Sequence, residues 1–156
     1  MGETLRKRLA QTRFEGPVHE AVLNLIVAAG FVRERLAIAL ADHELSFAQY
    51  NVLRILRGAH PEGYPRREIG RRMLERAPDV TRLIDRLERR GLAERVRSES
   101  DRRLSVTRIT RKGLDLVERL KPVVDAVGRV FEERLSAREA RELSRLCENL
   151  YGENGT

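Results

Sequence analysis

Arginine is the residue type whose placement in this chain points to chemistry. The 156 residues carry 31 Lys and Arg against 24 Asp and Glu, a net charge of +7. Residues 65–112 hold 16 of those basic side chains and only 8 acidic ones, a net of +8, so the remaining chain is close to neutral at −1. Nearly all of the excess is arginine, whose planar fork holds a phosphate or a guanine edge bidentately. Such chemistry recognises an anion through hydrogen bonds and forms no covalent ones. From charge alone two readings stand, a surface for an anionic partner or an ordinary solvated basic face. The pattern beneath the charge has to choose between them.

Residues for catalysis or metal binding are missing. His19, His43 and His60 are far apart, with no HxxxH and no Cys–His grouping. The run Asp42-His43-Glu44 reads as a polar helix end rather than a zinc site. The single cysteine, Cys147, excludes an internal disulfide and suits a reducing cytosol. It shares an apolar stripe with Leu143, Leu146 and Leu150, so packing is expected of it rather than redox chemistry. No G-x-G-x-x-G, P-loop or G-x-S-x-G run is present, and no Ser–His–Asp or paired-carboxylate spacing. No enzyme activity, cofactor or metal is expected. No apolar run approaches the ~18 residues of a membrane span. Residues 1–11 lack the apolar stretch of a signal peptide, which points to the cytoplasm.

The elements that must position the arginines follow from apolar spacing. From 18 to 40 the apolar residues recur every three or four positions, a long amphipathic helix. Ser46-Phe47-Ala48-Gln49 is a capping box opening a second helix. Pro65 suits the first position of a short third helix that turns Ile69 and Met73 inward. A fourth helix is expected from Pro78 to about Arg90, stopped by Gly91. Residues 92–97 and 104–109 read as two strands joined by a polar link, although Ile109 breaks the alternation set by Leu104 and Val106. A long helix follows Thr110, with Pro122 expected to kink or weaken it. Ser136-Ala137-Arg138-Glu139 is a second capping box, opening a last helix. Residues 1–17 and 152–156 read as flexible.

At 100° per residue the fourth helix sorts cleanly into two arcs. Val80, Leu83, Ile84 and Leu87 form one, and Pro78, Asp79, Arg82, Asp85, Arg86 and Arg89 the other. Anchored by the first arc, the helix presents the second to a major groove. Asp79 and Asp85 have the spacing of ion-pair partners for Arg82, Arg86 and Arg89. For Arg89 and Arg90 a surface position or a phosphate contact is expected. Between the strands, Asp101 is expected to orient Arg102 or Arg103 for the minor groove; an ordinary polar hairpin end is the alternative. Two short helices with a tight link and then a ribbon make a winged helix-turn-helix. The long flanking helices are too apolar for a monomer, and a homodimer would bury them.

With these motifs in place, the chain resembles the MarR (multiple antibiotic resistance regulator) family of transcription factors. VTRLIDRLERRGLAER (80–95) is similar to that family's recognition-helix signature, and DRRLSVTRITRKG (101–113) to its wing and the start of the next helix. LSFAQYNVL (45–53) is similar to the start of its second helix. Leu74 stands where the family usually has a turn glycine, and Arg76-Ala77-Pro78-Asp79 where it has a Ser/Thr-rich entry. The resemblance spans most of residues 18–150. It implies a triangular dimer with intertwined terminal helices, two winged helices on a pseudo-palindromic operator in double-stranded DNA, and a repressor released by a small anionic or aromatic ligand.

The fold expected is therefore mainly α with a small β-ribbon, a winged helix-turn-helix flanked by dimerisation helices. A dimerisation helix occupies 18–44, the DNA-binding domain 45–112 and the C-terminal dimerisation helices 113–151. Ser46, Arg66, Arg67, Asp79, Thr81, Arg82, Arg86, Arg97, Asp101, Arg102 and Arg103 are the candidate DNA-facing residues. Arg33 or Arg35 with Phe31 and Tyr50 are candidates for lining a ligand pocket, with an exposed charged stripe as the alternative. A winged helix that meets an acidic protein is the other functional reading.

Overall fold

The computed structural model describes residues 2–11, 13–75, 79–97 and 105–152. Those residues form seven helices and three strands in the order α1 (Glu3–Leu9), α2 (Pro17–Ala41), α3 (Phe47–Gly58), β1 (Tyr64–Pro65), α4 (Arg66–Arg72), α5 (Val80–Arg89), β2 (Ala93–Arg97), β3 (Ser105–Ile109), α6 (Arg111–Glu132) and α7 (Ala137–Tyr151). The mainly helical architecture with a small sheet is the one expected. Both capping boxes are present. Ser46 Oγ accepts from the Gln49 N–H at 3.2 Å while the Ser46 N–H donates to Gln49 Oε1 at 2.9 Å. At the start of α7 the Ser136 N–H donates to Glu139 Oε2 at 2.8 Å, and its hydroxyl reaches the same oxygen at 2.6 Å. That hydrogen bonding holds the exposed Glu139 carboxyl below its usual value of 4.5.

The core lies inside the winged helix. Leu53 and Leu56 of α3, Ile69 of α4, Ile84 and Leu87 of α5 and Val117 and Leu120 of α6 are all fully buried, joined by Leu40 from the end of α2. Each such side chain contributes about 1.5–3 kcal/mol on leaving water, enough for these short helices to hold one another in place. Asn51, buried in α3, accepts the Leu74 N–H at 2.9 Å and so satisfies a backbone amide just beyond α4.

Two local readings are corrected. The ribbon is a three-stranded antiparallel sheet in the order β1-β3-β2, with Tyr64 opposite Thr107 and Val106 opposite both Pro65 and Val96. The extra strand covers one side of β3, so Thr107 is buried and the simple in–out alternation fails there. Pro65 is consequently the residue before α4, extended at φ −60° and ψ 149°, not its first helical position. Close approach explains Gly63, at φ +77°, where a Cβ would strike the Thr107 carbonyl. Within the N-terminal segment Glu3–Leu9 form α1, whose Leu5 is buried. Pro122 lies inside α6, which runs from Arg111 to Glu132.

Candidate nucleic-acid interface

Helix α5 begins at Val80, with Asp79 as its cap, two residues later than the sequence spacing predicts; Pro78 lies outside the described residues. Asp79 Oδ1 accepts the Arg82 N–H at 3.0 Å, and Oδ2 pairs with Arg82 Nε at 3.1 Å. One carboxylate thus starts the helix and also restrains its first arginine. The far end closes with Gly91 at φ +66°. There the Leu92 N–H donates to the Leu87 carbonyl and the Gly91 N–H to that of Glu88, the paired bonds of a Schellman motif.

The two arcs separate as the helical wheel requires. Ile84 and Leu87 are buried and Val80 and Leu83 pack against the core, while Arg82, Arg86 and Arg89 are exposed. Arg82, Asp85, Arg86, Glu88 and Arg89 line one open groove along the outer side. Arg66, at the start of α4, reaches across to α5, its Nη1 donating to Thr81 Oγ1 at 3.0 Å. Two candidates from separate helices therefore meet. Arg67 on α4 and Arg97 on β2 are exposed, and Ser46 is the exposed cap of α3. Asp101, Arg102 and Arg103 lie outside the described residues, as does the proposed link between them.

Two arginines have roles that the local spacing does not reveal. Arg90 is neither a plain surface residue nor a free phosphate ligand: Nη1 donates to the Glu44 carbonyl at 2.7 Å and Nη2 to the His43 carbonyl at 2.9 Å. It ties the end of α5 to the turn between α2 and α3. Lys112 donates to the Arg90 carbonyl at 2.8 Å, and the Thr110 hydroxyl to that of Gly91 at 2.7 Å, so α6 grips the same corner. Arg95 of β2 pairs with Asp85 at 2.6 Å and Glu88 at 2.8 Å, both on α5. Asp85 therefore turns to the sheet rather than to its helical neighbours.

The candidate ligand residues do not assemble as a set. Tyr50 is in the core, 3% exposed, with its hydroxyl accepting from Arg54 at 3.4 Å. Phe31 instead has the guanidinium groups of Arg35 and Arg134 at 5.0 and 5.8 Å from its ring centre. Arg33 pairs with Glu75 at 3.3 Å. Among the described residues no three His, Cys, Asp or Glu side chains are grouped to hold a metal, and no helix is long and apolar enough to cross a membrane.

Comparison with known proteins bears on this geometry. A model of the MarR family matches residues 43–104. The chain is 35% identical over 101 residues to the HTH-type transcriptional regulator TtmR of Methylorubrum extorquens (strain PA1), a match covering 65% of this chain and 51% of that protein. The chain spans about half the length of the curated relatives it matches. The crystal structure of a MarR transcription factor from Planctomyces limnophilus is 39% identical, with a TM-score of 0.66 over 87% of this chain and 98% of that one. CouR from Rhodococcus jostii RHA1, solved bound to p-coumaroyl-CoA, shares the fold at a TM-score of 0.78 and 23% identity, covering 92% of this chain and 99% of its own.

Proposed function

The chain belongs to the MarR family, and we propose that it acts as a dimeric, sequence-specific regulator of transcription that places α5 in the major groove of an operator. The observation that carries this reading is the division of α5. An inner arc of fully buried Ile84 and Leu87 with partly buried Val80 and Leu83 fixes the helix, and Arg82, Arg86 and Arg89 stand exposed on the arc that faces away from the core. Arg66 and Thr81, already in contact, extend that surface toward α4. Arg97 leads from β2 into the wing, where Asp101, Arg102 and Arg103 are assigned to the minor-groove side.

The second copy is argued from apolar exposure. Val18, Val22, Leu25 and Ile26 of α2 are between 41% and 76% exposed, and α7 buries no residue at all. Leu143, Leu146 and Leu150 form an open stripe on α7, with Cys147 half-buried among them. An intertwined homodimer would cover both faces. Repression released by a small anionic or aromatic ligand completes the proposal. CouR holds p-coumaroyl-CoA on this fold, and Phe31 with Arg35 and Arg134 offers an aromatic and cationic surface here. The cytoplasm is the location consistent with this role.

Binding to the DNA upstream of the chain's own coding sequence, compared with scrambled DNA at one salt concentration, tests the proposal; equal affinity for the two would overturn it. Arg82→Ala is expected to relax discrimination by about 1–3 kcal/mol if it reads a base. Arg103→Ala is expected to reduce the salt dependence by roughly one unit if it meets a phosphate.

A further inference from the structure

Asp85 and Glu88 pose a physical difficulty for the proposed function. Both line the groove that Arg82, Arg86 and Arg89 line. A phosphate backbone repels a bare carboxylate at that surface. Asp85 also has the helical spacing to capture the arginines beside it, three residues after Arg82 and four before Arg89. Helix α5 on its own would therefore spend part of its positive charge internally.

The structure answers with one side chain from outside the helix. Arg95 sits on β2, paired across to Thr107 of β3. Its Nη2 lies 2.6 Å from Asp85 Oδ1 and its Nη1 2.8 Å from Glu88 Oε2, so one guanidinium occupies both carboxylates. Arg86 and Arg89 are left without a carboxylate partner among the described residues. Arg82 has Asp79 instead, which belongs to the helix cap.

We propose that Arg95 is a positioning residue for DNA binding. It holds Asp85 and Glu88 toward the sheet, leaving Arg86 and Arg89 available to the nucleic acid. This rests on the proposed function, since it assigns a role within the same surface. Arginine is needed because its fork spans two acceptors at once, which a lysine ammonium does less well.

The test is a double-mutant cycle on the full chain, read as affinity for a fluorescein-labelled duplex of random sequence at low salt. Arg95→Ala is expected to weaken binding about tenfold, and adding Asp85→Asn with Glu88→Gln to restore it. In the background that keeps Arg95, the same pair of substitutions is expected to change affinity less than about threefold. A residue that merely braced the fold would not be rescued by removing the groups it braces. Equal gains in the two backgrounds would show that Arg95 acts by direct contact with phosphate, and would overturn the assignment while leaving DNA binding intact. Failure of the unaltered chain to bind duplex DNA would overturn the function and this inference together.

Discussion

The winged-helix head and the helices that flank it use the same amphipathic periodicity with opposite outcomes. In the head, Leu53, Ile84 and Leu87 are completely buried within one chain. On α2 and α7 the equivalent stripe is open, with Val18 at 76% and Leu150 at 72% exposure. The charges differ in the same way. On α6 and α7 several ion pairs are local, Lys121 with Asp125 and Arg145 with Glu142 along one helix, and solvent screens exposed pairs of this kind, while Glu118 of α6 reaches Arg57 of α3. In the head, beside the local pairs Asp79–Arg82 and Glu68–Arg72, polar contacts cross between elements: Arg66 to Thr81, Arg90 to the α2–α3 turn, Arg95 to α5. One region is a complete unit that fixes the aim of its helix. The other leaves its apolar faces open, as half of the proposed interface would.

That contrast breaks most visibly at α7. Leu146→Glu puts an unpaired carboxylate into the proposed interface, where burying it costs about 3–5 kcal/mol. Light scattering is expected to show the mass falling from twice the 17.9 kDa of one chain to a single copy, with operator binding lost. A dimer of unchanged mass would place the interface elsewhere. Ile84→Ala strikes the other region. This fully buried side chain of α5 is expected to cost about 2–5 kcal/mol in urea unfolding, while the native dimer mass is retained. If Ile84→Ala dissociated the dimer instead, the head would not be the independent unit described.

The head was legible in the sequence because its decisive signals are local. The wheel of α5 depends on residues within one helix, and each capping box on four consecutive residues. What escaped depends on partners distant in the chain. Strand β1 is two residues long, contains a proline, and exists only because Val106 and Thr107 lie beside it. Arg90 reads as one more surface arginine until the fold brings the carbonyls of His43 and Glu44 to it. Asp85 matches Arg82 and Arg89 by helical spacing, yet pairs with Arg95 from the sheet. Tyr50 carries no local mark that separates a pocket residue from a core residue. In α1, a heptad rich in charge hides the single apolar anchor, Leu5.

The smallest effect sharpens the description of the flanking helices. Glu139 accepts both Ser136 donors, which lowers its carboxyl below 4.5. A carboxyl lowered on folding stabilises the folded state above its unfolded value, and that contribution disappears as pH falls through the folded value. The first turn of α7 is expected to loosen as pH falls below the ordinary carboxyl value of 4.5, read from the Ser136 amide resonance. Glu139→Gln is expected to keep the cap near neutral pH and to remove this local pH dependence.

Selection from a random duplex library with the full chain tests the central claim most directly. A self-sufficient head carried twice on a symmetric scaffold is expected to enrich a pseudo-palindrome whose half-sites lie about 10 base pairs apart, or a multiple of that. A library that stays random after repeated rounds, or that yields one unrepeated half-site, would contradict it.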